Sequence, residues 1–141
     1  MRIMCLDVGE KTLGVAVSDA LELAAHGVTT IRRVGYAKDL TALKGYLEEY
    51  EVEELVVGLP KSMDGSIGTQ AEKVMAFVEK LKKDLSVPIV LYDERLSTAL
   101  AQKALIEGDV SRAKRRKVID MLAAQVILQG YLDRRSRGLS F

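Results

Sequence analysis

The sequence predicts an α/β fold, a mixed five-stranded sheet flanked by helices. Three short apolar runs near the N-terminus are joined by connections of turn length, which is typical of an antiparallel meander. Beyond them, segments with helical spacing of apolar residues alternate with nearly continuous apolar runs, which indicates helices alternating with parallel strands. At 141 residues the chain is long enough for one domain and too short for two. We therefore expect a single domain over residues 1–141.

The N-terminal half is predicted to form a three-stranded meander followed by a helix. Strands are expected at Arg2–Val8, Leu13–Ser18 and Gly27–Arg32, since each run is apolar and bounded by turn residues. Gly9–Thr12 has the length and composition of a hairpin turn. Leucines spaced three or four apart then predict a helix over Tyr36–Tyr50.

The next two elements are a buried strand and an amphipathic helix. Glu54–Leu59 is almost wholly apolar, as in a strand covered on both faces, and it ends at Pro60, which cannot continue a ladder. A helix is predicted over Thr69–Asp84, where Thr69 and Glu72 match a capping box.

The C-terminal third is predicted to contain one strand and two helices. Val87–Tyr92 forms an apolar run that leads directly into two acidic residues. A helix is expected over Ser97–Ile106, with Gly108 as its stop signal. The last helix is expected from a cap at Ser111 to about Arg134.

Composition narrows the possible functions. Apolar residues make up 48% of the chain and no run approaches the length of a membrane span, so we expect a cytoplasmic protein without a membrane partner. The single cysteine, Cys5, and the single histidine, His26, exclude a Cys/His zinc site. Any metal must be held by oxygen, which favours Mg²⁺ or Mn²⁺.

Three carboxylates lie in apolar surroundings. Asp7 closes the first strand, Asp93 and Glu94 follow another, and Asp120 is the only charged residue from Val118 to Leu128. A buried carboxylate must be paired, hydrogen-bonded or bound to a cation, because its desolvation alone costs on the order of several kcal/mol. Since ligands gather at the carboxyl ends of strands, the acids are predicted to meet at one cation site.

Three convergent carboxylates suit hydrolysis of a phosphodiester. Two divalent ions about 3.5–4 Å apart can activate water and stabilise the leaving oxygen. We expect Asp7, on the central strand, to bridge two ions, with Glu94 and Asp120 each completing one. Asp93 stays an alternative to Glu94, because neighbouring strand residues face opposite sides.

Other residues are candidates for substrate contact. The net charge is only +1, but a basic block, Lys114–Lys117, lies close in sequence to Asp120. Cations at a helix start oppose the macrodipole, so the block is predicted to bind phosphate, the alternative being a solvated turn. The loop after the fourth strand is expected to border the substrate through Gly58, Pro60, Asp64 and Gly65.

Four motifs resemble those of the YqgF (RuvX) family of RNase H-like nucleases, which is related to the RuvC Holliday junction resolvases. They occur in the family's order over nearly the whole chain. The motifs are Leu6–Asp19, Val57–Pro60 with Met63–Ser66, Asp93–Thr98, and Lys117–Asp120 with Ala123 and Ala124. Ser97 and Thr98 stand where two threonines are expected, and the serine preserves a hydroxyl cap.

The resemblance implies an RNase H-like fold and a cytoplasmic, metal-dependent nuclease with a proposed role in maturing the 5′ end of pre-16S ribosomal RNA. It places the catalytic acids at Asp7, the Asp93–Glu94 pair and Asp120. Lys11 and Arg95 lie within these motifs. The candidate nucleic-acid contacts are Lys11, Arg95, Lys114, Arg115, Arg116 and Lys117.

Several alternatives stay open. The substrate could be structured RNA, with association to a ribosomal particle, or branched DNA cut by a resolvase. A non-catalytic RNase H-like binding module is a second class of function. Resolution of a junction would require a dimer, and the sequence does not decide between monomer and homodimer. A phosphate loop is excluded, because Val15 and Ala16 replace the required lysine and hydroxyl residue.

Overall fold

The computed structural model describes residues 2–62, 64–94 and 112–138; for residues 112–118 it describes the backbone alone. The elements, in chain order, are β1 (Arg2–Val8), β2 (Thr12–Ser18), β3 (Ala25–Arg32), α1 (Tyr36–Glu49), β4 (Val52–Leu59), α2 (Thr69–Asp84), β5 (Ile89–Asp93) and α3 (Arg112–Ser136). Within the described residues, no helix has both the length and the hydrophobicity to cross a membrane.

The strands form one mixed sheet in the order β3-β2-β1-β4-β5. Strand β1 is antiparallel to β2, and β2 is antiparallel to β3, as a meander requires. Strands β4 and β5 continue the sheet in parallel with β1. The predicted fold class is therefore confirmed, and β1 is the central strand.

Two apolar cores lie on opposite faces of the sheet. Because side chains alternate along β1, Met4 and Leu6 join the core under α1 and α2, whereas Ile3 and Cys5 join the core under α3. The side chains of β4 alternate between the two cores in the same way. This two-sided burial explains the nearly continuous apolar sequence of both strands.

Helix α3 is fixed to the edge strand β3 by two glutamines. The Gln125 side chain accepts a hydrogen bond from the Gly27 amide at 3.2 Å, and that of Gln129 accepts one from the Ala25 amide at 2.9 Å. A side chain at Gly27 would lie 2.7 Å from Met121 Cγ. The helix therefore lies directly on the sheet.

The capping-box prediction was wrong. Gly68, not Thr69, is the N-cap of α2, and no side chain caps this helix. Thr69 is already helical, so its hydroxyl lies one position too late to act as the cap. Strands β2, β3 and β4 begin one or two residues earlier than expected, and β5 begins two residues later. The predicted helix over residues 97–106, Gly108 and the Ser111 cap lie outside the described residues.

Candidate active site

Asp7 lies near the carboxyl end of the central strand, on the sheet face that α3 covers. It shares this face with Ile3 and Cys5 because strand residues alternate. Only 7% of Asp7 is exposed. Its partner on β2 is Gly14. The carboxylate is thus held between the central strand and the last helix.

The backbone of α3 passes directly over Gly14 of β2 at Asp120. A Cβ atom built on Gly14 would lie 2.0 Å from the Asp120 carbonyl oxygen, so only glycine allows α3 to approach so closely. The Thr12 hydroxyl, on the same strand, donates a hydrogen bond to Asp120 Oδ2. Because Gly14 pairs with Asp7, these contacts place Asp120 beside Asp7 on its β2 side.

Glu94 approaches Asp7 from the other side. A Cβ atom at Gly58 would lie 3.1 Å from Glu94 Oε1, so the Glu94 carboxylate rests above β4. Leu6 pairs with Val57 across β1 and β4, and therefore Gly58 is the β4 neighbour of Asp7. Glu94 is 5% exposed.

Asp93 faces the opposite side of the sheet. Tyr92 belongs to the core under α3, and the next residue on the strand must point away from it. Asp93 Oδ2 lies 4.0 Å from Lys61 Nζ. Of the two adjacent acids, Glu94 is the one on the face of Asp7.

The chemistry of the donor set fits a hard divalent cation. Burial raises the pKa of the Cys5 thiol well above its usual value, and the nearby charges of Asp7 and Glu94 raise it further. A protonated thiol is a poor metal ligand, which leaves carboxylate oxygens as ligands. Among the described residues, no three acidic, histidine or cysteine side chains already form a metal-binding cluster. Glu94 and Asp120 lie on either side of Asp7, but the three carboxylates do not meet at one point.

The loop after β4 borders the same edge of the sheet. Asp64 accepts a hydrogen bond from the Ser66 amide at 2.9 Å. Gly65 has φ +89°, which favours glycine, and its amide donates to the Ser62 carbonyl at 2.8 Å. Pro60 ends β4, and these hydrogen bonds then give the loop a defined shape beside the strand.

The predicted basic contacts are described only in part. Lys11 is exposed at the tip of the β1–β2 hairpin, next to Thr12. Arg95 lies outside the described residues. Lys114–Lys117 occupy the first turns of α3, but their side chains lie outside the description.

Sequence reasoning missed Thr12 and Gly14 as parts of the site. A signal was available for Gly14, because a glycine inside an apolar strand marks close approach by another backbone. Thr12 carried no such signal, since a threonine at a strand start is ordinary.

The fold is that of an RNase H-like domain of the kind found in junction resolvases. The chain is similar to T. thermophilus RuvC in complex with a Holliday junction substrate, with a TM-score of 0.61, 14% identity, and coverage of 99% of this chain and 98% of that one. It is also similar to the yeast mitochondrial Holliday junction resolvase Ydc2, with a TM-score of 0.58, 8% identity, and coverage of 96% and 79%. At such identities the likeness concerns the fold alone.

The chain belongs to the RuvX family, described as Holliday junction resolvase, whose model matches residues 1–134. A relative from Desulforamulus reducens, named "Putative pre-16S rRNA nuclease", is 57% identical over 94% of this chain and 97% of its own length. A relative from Clostridium kluyveri with the same name is 51% identical over 97% and 100%. The predicted family, RNase H-like fold and nuclease class are confirmed. Nucleases of this kind use divalent metal ions and act on nucleic acids.

Proposed function

We propose that this chain is a cytoplasmic, single-domain nuclease that hydrolyses phosphodiester bonds with Mg²⁺ or Mn²⁺, two ions per site. The observation that carries the proposal is the position of Asp7 on the central strand. Glu94 lies on one side of it, above Gly58, and Asp120 lies on the other, against Gly14. Asp7 and Glu94 are buried at the carboxyl ends of strands and Asp120 is half-buried on α3, and such a set of carboxylates suits divalent ions.

The chain's own residues would hold and orient the reacting groups. Bound divalent ions would supply an activated water and offset charge on the leaving oxygen. Asp7, Glu94 and Asp120 would be the ligands. Thr12 orients the Asp120 carboxylate through its hydroxyl. Outer contacts of this kind fix the direction in which a ligand presents its oxygen atoms.

For the substrate, we propose the 5′ end of pre-16S ribosomal RNA, cut in association with a ribosomal particle. The names of the relatives support this choice. Lys11, Arg95 and the block Lys114–Lys117 would contact the RNA backbone, and the loop with Pro60, Asp64 and Gly65 would border it. A second candidate is resolution of branched DNA, favoured by the family description. That activity requires two sites in a homodimer.

The test compares Asp7→Asn and Glu94→Gln with the matched control Asp93→Asn. Loss of a partner that only orients a ligand costs about 10–100-fold, so loss of a ligand should reduce Mg²⁺-dependent cleavage by at least about a hundredfold. Asp93→Asn should cut like the wild type, because Asp93 faces Lys61.

Cleavage should be measured on a pre-16S RNA fragment and on a four-way junction side by side, with product ends mapped and the oligomeric state determined. Full Mg²⁺-dependent cleavage by Asp7→Asn would refute the site. If Asp93→Asn lost cleavage while Glu94→Gln cut normally, Asp93 and not Glu94 would be the metal ligand. Preferential, symmetric cutting of the junction by a dimer would favour the resolvase.

A further inference from the structure

A groove of about 720 Å³ leads from Asp120 towards the β3 edge of the sheet. Thr12 and Thr30 lie in its wall, together with Lys11 and Arg32. Strand β3 is the last of the described strands on this side of the sheet. The groove therefore connects the candidate active site with the surface beyond β3.

The strand register puts Arg32 on the same face as the acids. Gly14 pairs with Asp7 on one side and with Thr30 on the other, and Thr12 pairs with Arg32. Strands about 4.8 Å apart with a rise of about 3.4 Å per residue put the Cα atoms of Asp7 and Arg32 about 12 Å apart. Arg32 is thus near the acids without being one of their neighbours.

Two adjacent arginines in this region have different surroundings. Arg33 is structural, because its Nη1 donates to the Gly9 carbonyl at 2.6 Å and its guanidinium lies 4.9 Å from the Phe77 ring centroid. Its amide also donates to the Lys11 carbonyl at 2.8 Å, which fixes the hairpin tip. Arg32 and Lys11 are exposed, and neither forms an ion pair with a described residue.

We propose that Lys11 and Arg32 bind the phosphate backbone of the substrate strand, one or two nucleotides from the phosphate that is cut. This inference rests on the proposed nuclease function and extends it by assigning a second phosphate site. The guanidinium of Arg32 and the ammonium of Lys11 supply the charged N–H donors that phosphate oxygens accept. The described residues lining the groove include no aromatic side chain on which a base could stack, so the backbone is the part recognised.

The first measurement is the salt dependence of binding. The probe is a labelled 2′-O-methyl RNA stem-loop with single-stranded extensions at both ends, and every protein carries Asp7→Asn to prevent cutting. Adding Arg32→Ala should weaken binding about tenfold and lower the slope of log affinity against log salt by about 0.7. Lys44→Ala, which removes an exposed cation of α1 on the other face, should change neither.

The second measurement locates the contact. Single methylphosphonate linkages, which carry no charge, are placed along the probe one position at a time. In the parent protein, one linkage near the cut should weaken binding because it removes the negative charge that Arg32 contacts. In Arg32→Ala the same linkage should have no further effect, as expected for two changes that remove one interaction.

The outcomes separate this proposal from the nuclease function. If no linkage couples to Arg32→Ala, or to Lys11→Ala tested in the same way, or if Arg32→Ala leaves the salt slope unchanged, the groove does not bind the strand, whatever the cleavage results. If coupling is found but the wild type shows no Mg²⁺-dependent cleavage, the groove is a binding surface and the nuclease function fails. Urea unfolding confirms that Arg32→Ala is folded, and Arg32→Gln repeats the test if it is not.

Discussion

Single glycines decide where the candidate catalytic acids can lie. The Asp120 backbone occupies the space that a side chain at Gly14 would fill, and the Glu94 carboxylate lies just above Gly58. Both glycines belong to strands that neighbour β1, so both acids are brought next to Asp7. A methyl group at either position would move a candidate ligand.

Gly14→Ala should destabilise the fold and abolish cleavage. Its Cβ atom would lie 2.0 Å from a backbone oxygen of Asp120, so α3 would have to move, at a cost of about 1–3 kcal/mol or more. The matched control is Gly45→Ala, since nothing lies within 4 Å of a Cβ atom at Gly45 in α1. That change should stabilise the protein by about 0.5–1 kcal/mol. Urea unfolding and a cleavage assay measure both, and a Gly14→Ala variant with wild-type stability would contradict this packing.

The sequence could indicate which residues were candidates, but not which of them meet. Asp7 and Asp120 stood out because each is a charge in an apolar segment. The choice between Asp93 and Glu94 depends on where β5 ends and on a contact with Gly58, and neither is a local property. Thr12 and Asp120 are 108 residues apart, so their hydrogen bond follows only from the packed position of α3.

At the scale of elements, the two helices opposite the site are tied together by a hydrogen bond. Tyr36, the first residue of α1, donates from its hydroxyl to Asp84 Oδ2 at the end of α2, at 2.6 Å. The Tyr36 ring also packs edge-on against Phe77 of α2. Burial and the Asp84 hydrogen bond raise the pKa of Tyr36 to about 12.

This link between α1 and α2 should fail at high pH. The pKa of Tyr36 is higher in the folded state than its ordinary value of 10.0, so the protonated hydroxyl stabilises the fold. That contribution is complete below pH 10.0 and is lost as the pH rises towards about 12. Urea unfolding should therefore show a steeper loss of stability across this window for the wild type than for Tyr36→Phe.

Tyr46→Phe is the control, because Tyr46 packs on the same core and no hydrogen bond of its hydroxyl with a described residue is seen. It should follow the wild type. Parallel pH profiles for the wild type and Tyr36→Phe would show that the Tyr36–Asp84 bond does not contribute to stability in solution.

At the scale of the whole molecule, the two faces of the sheet have separate roles. Among the described residues, the core under α1 and α2 is the larger apolar one, whereas the face under α3 carries the acids at one end. The α/β class, with an antiparallel meander followed by parallel strands, could be predicted, because turn-length connections and apolar runs are local signals that restrict topology. The start of α2 could not be predicted from the sequence, since the residue that caps a helix depends on where its first turn forms.

Stability of the whole fold should depend on the divalent ion. Three nearby carboxylates repel one another without a cation, so in the absence of metal Asp7→Asn should unfold at the same urea concentration as the wild type or a higher one. An ion that binds only the folded state stabilises it by about 2.7 kcal/mol at a hundred times its Kd. Mg²⁺ should therefore raise the unfolding midpoint of the wild type, measured against KCl at equal ionic strength. Asp7→Asn should lose this response and Asp93→Asn should keep it; an equal Mg²⁺ response in all three proteins would place the ion elsewhere.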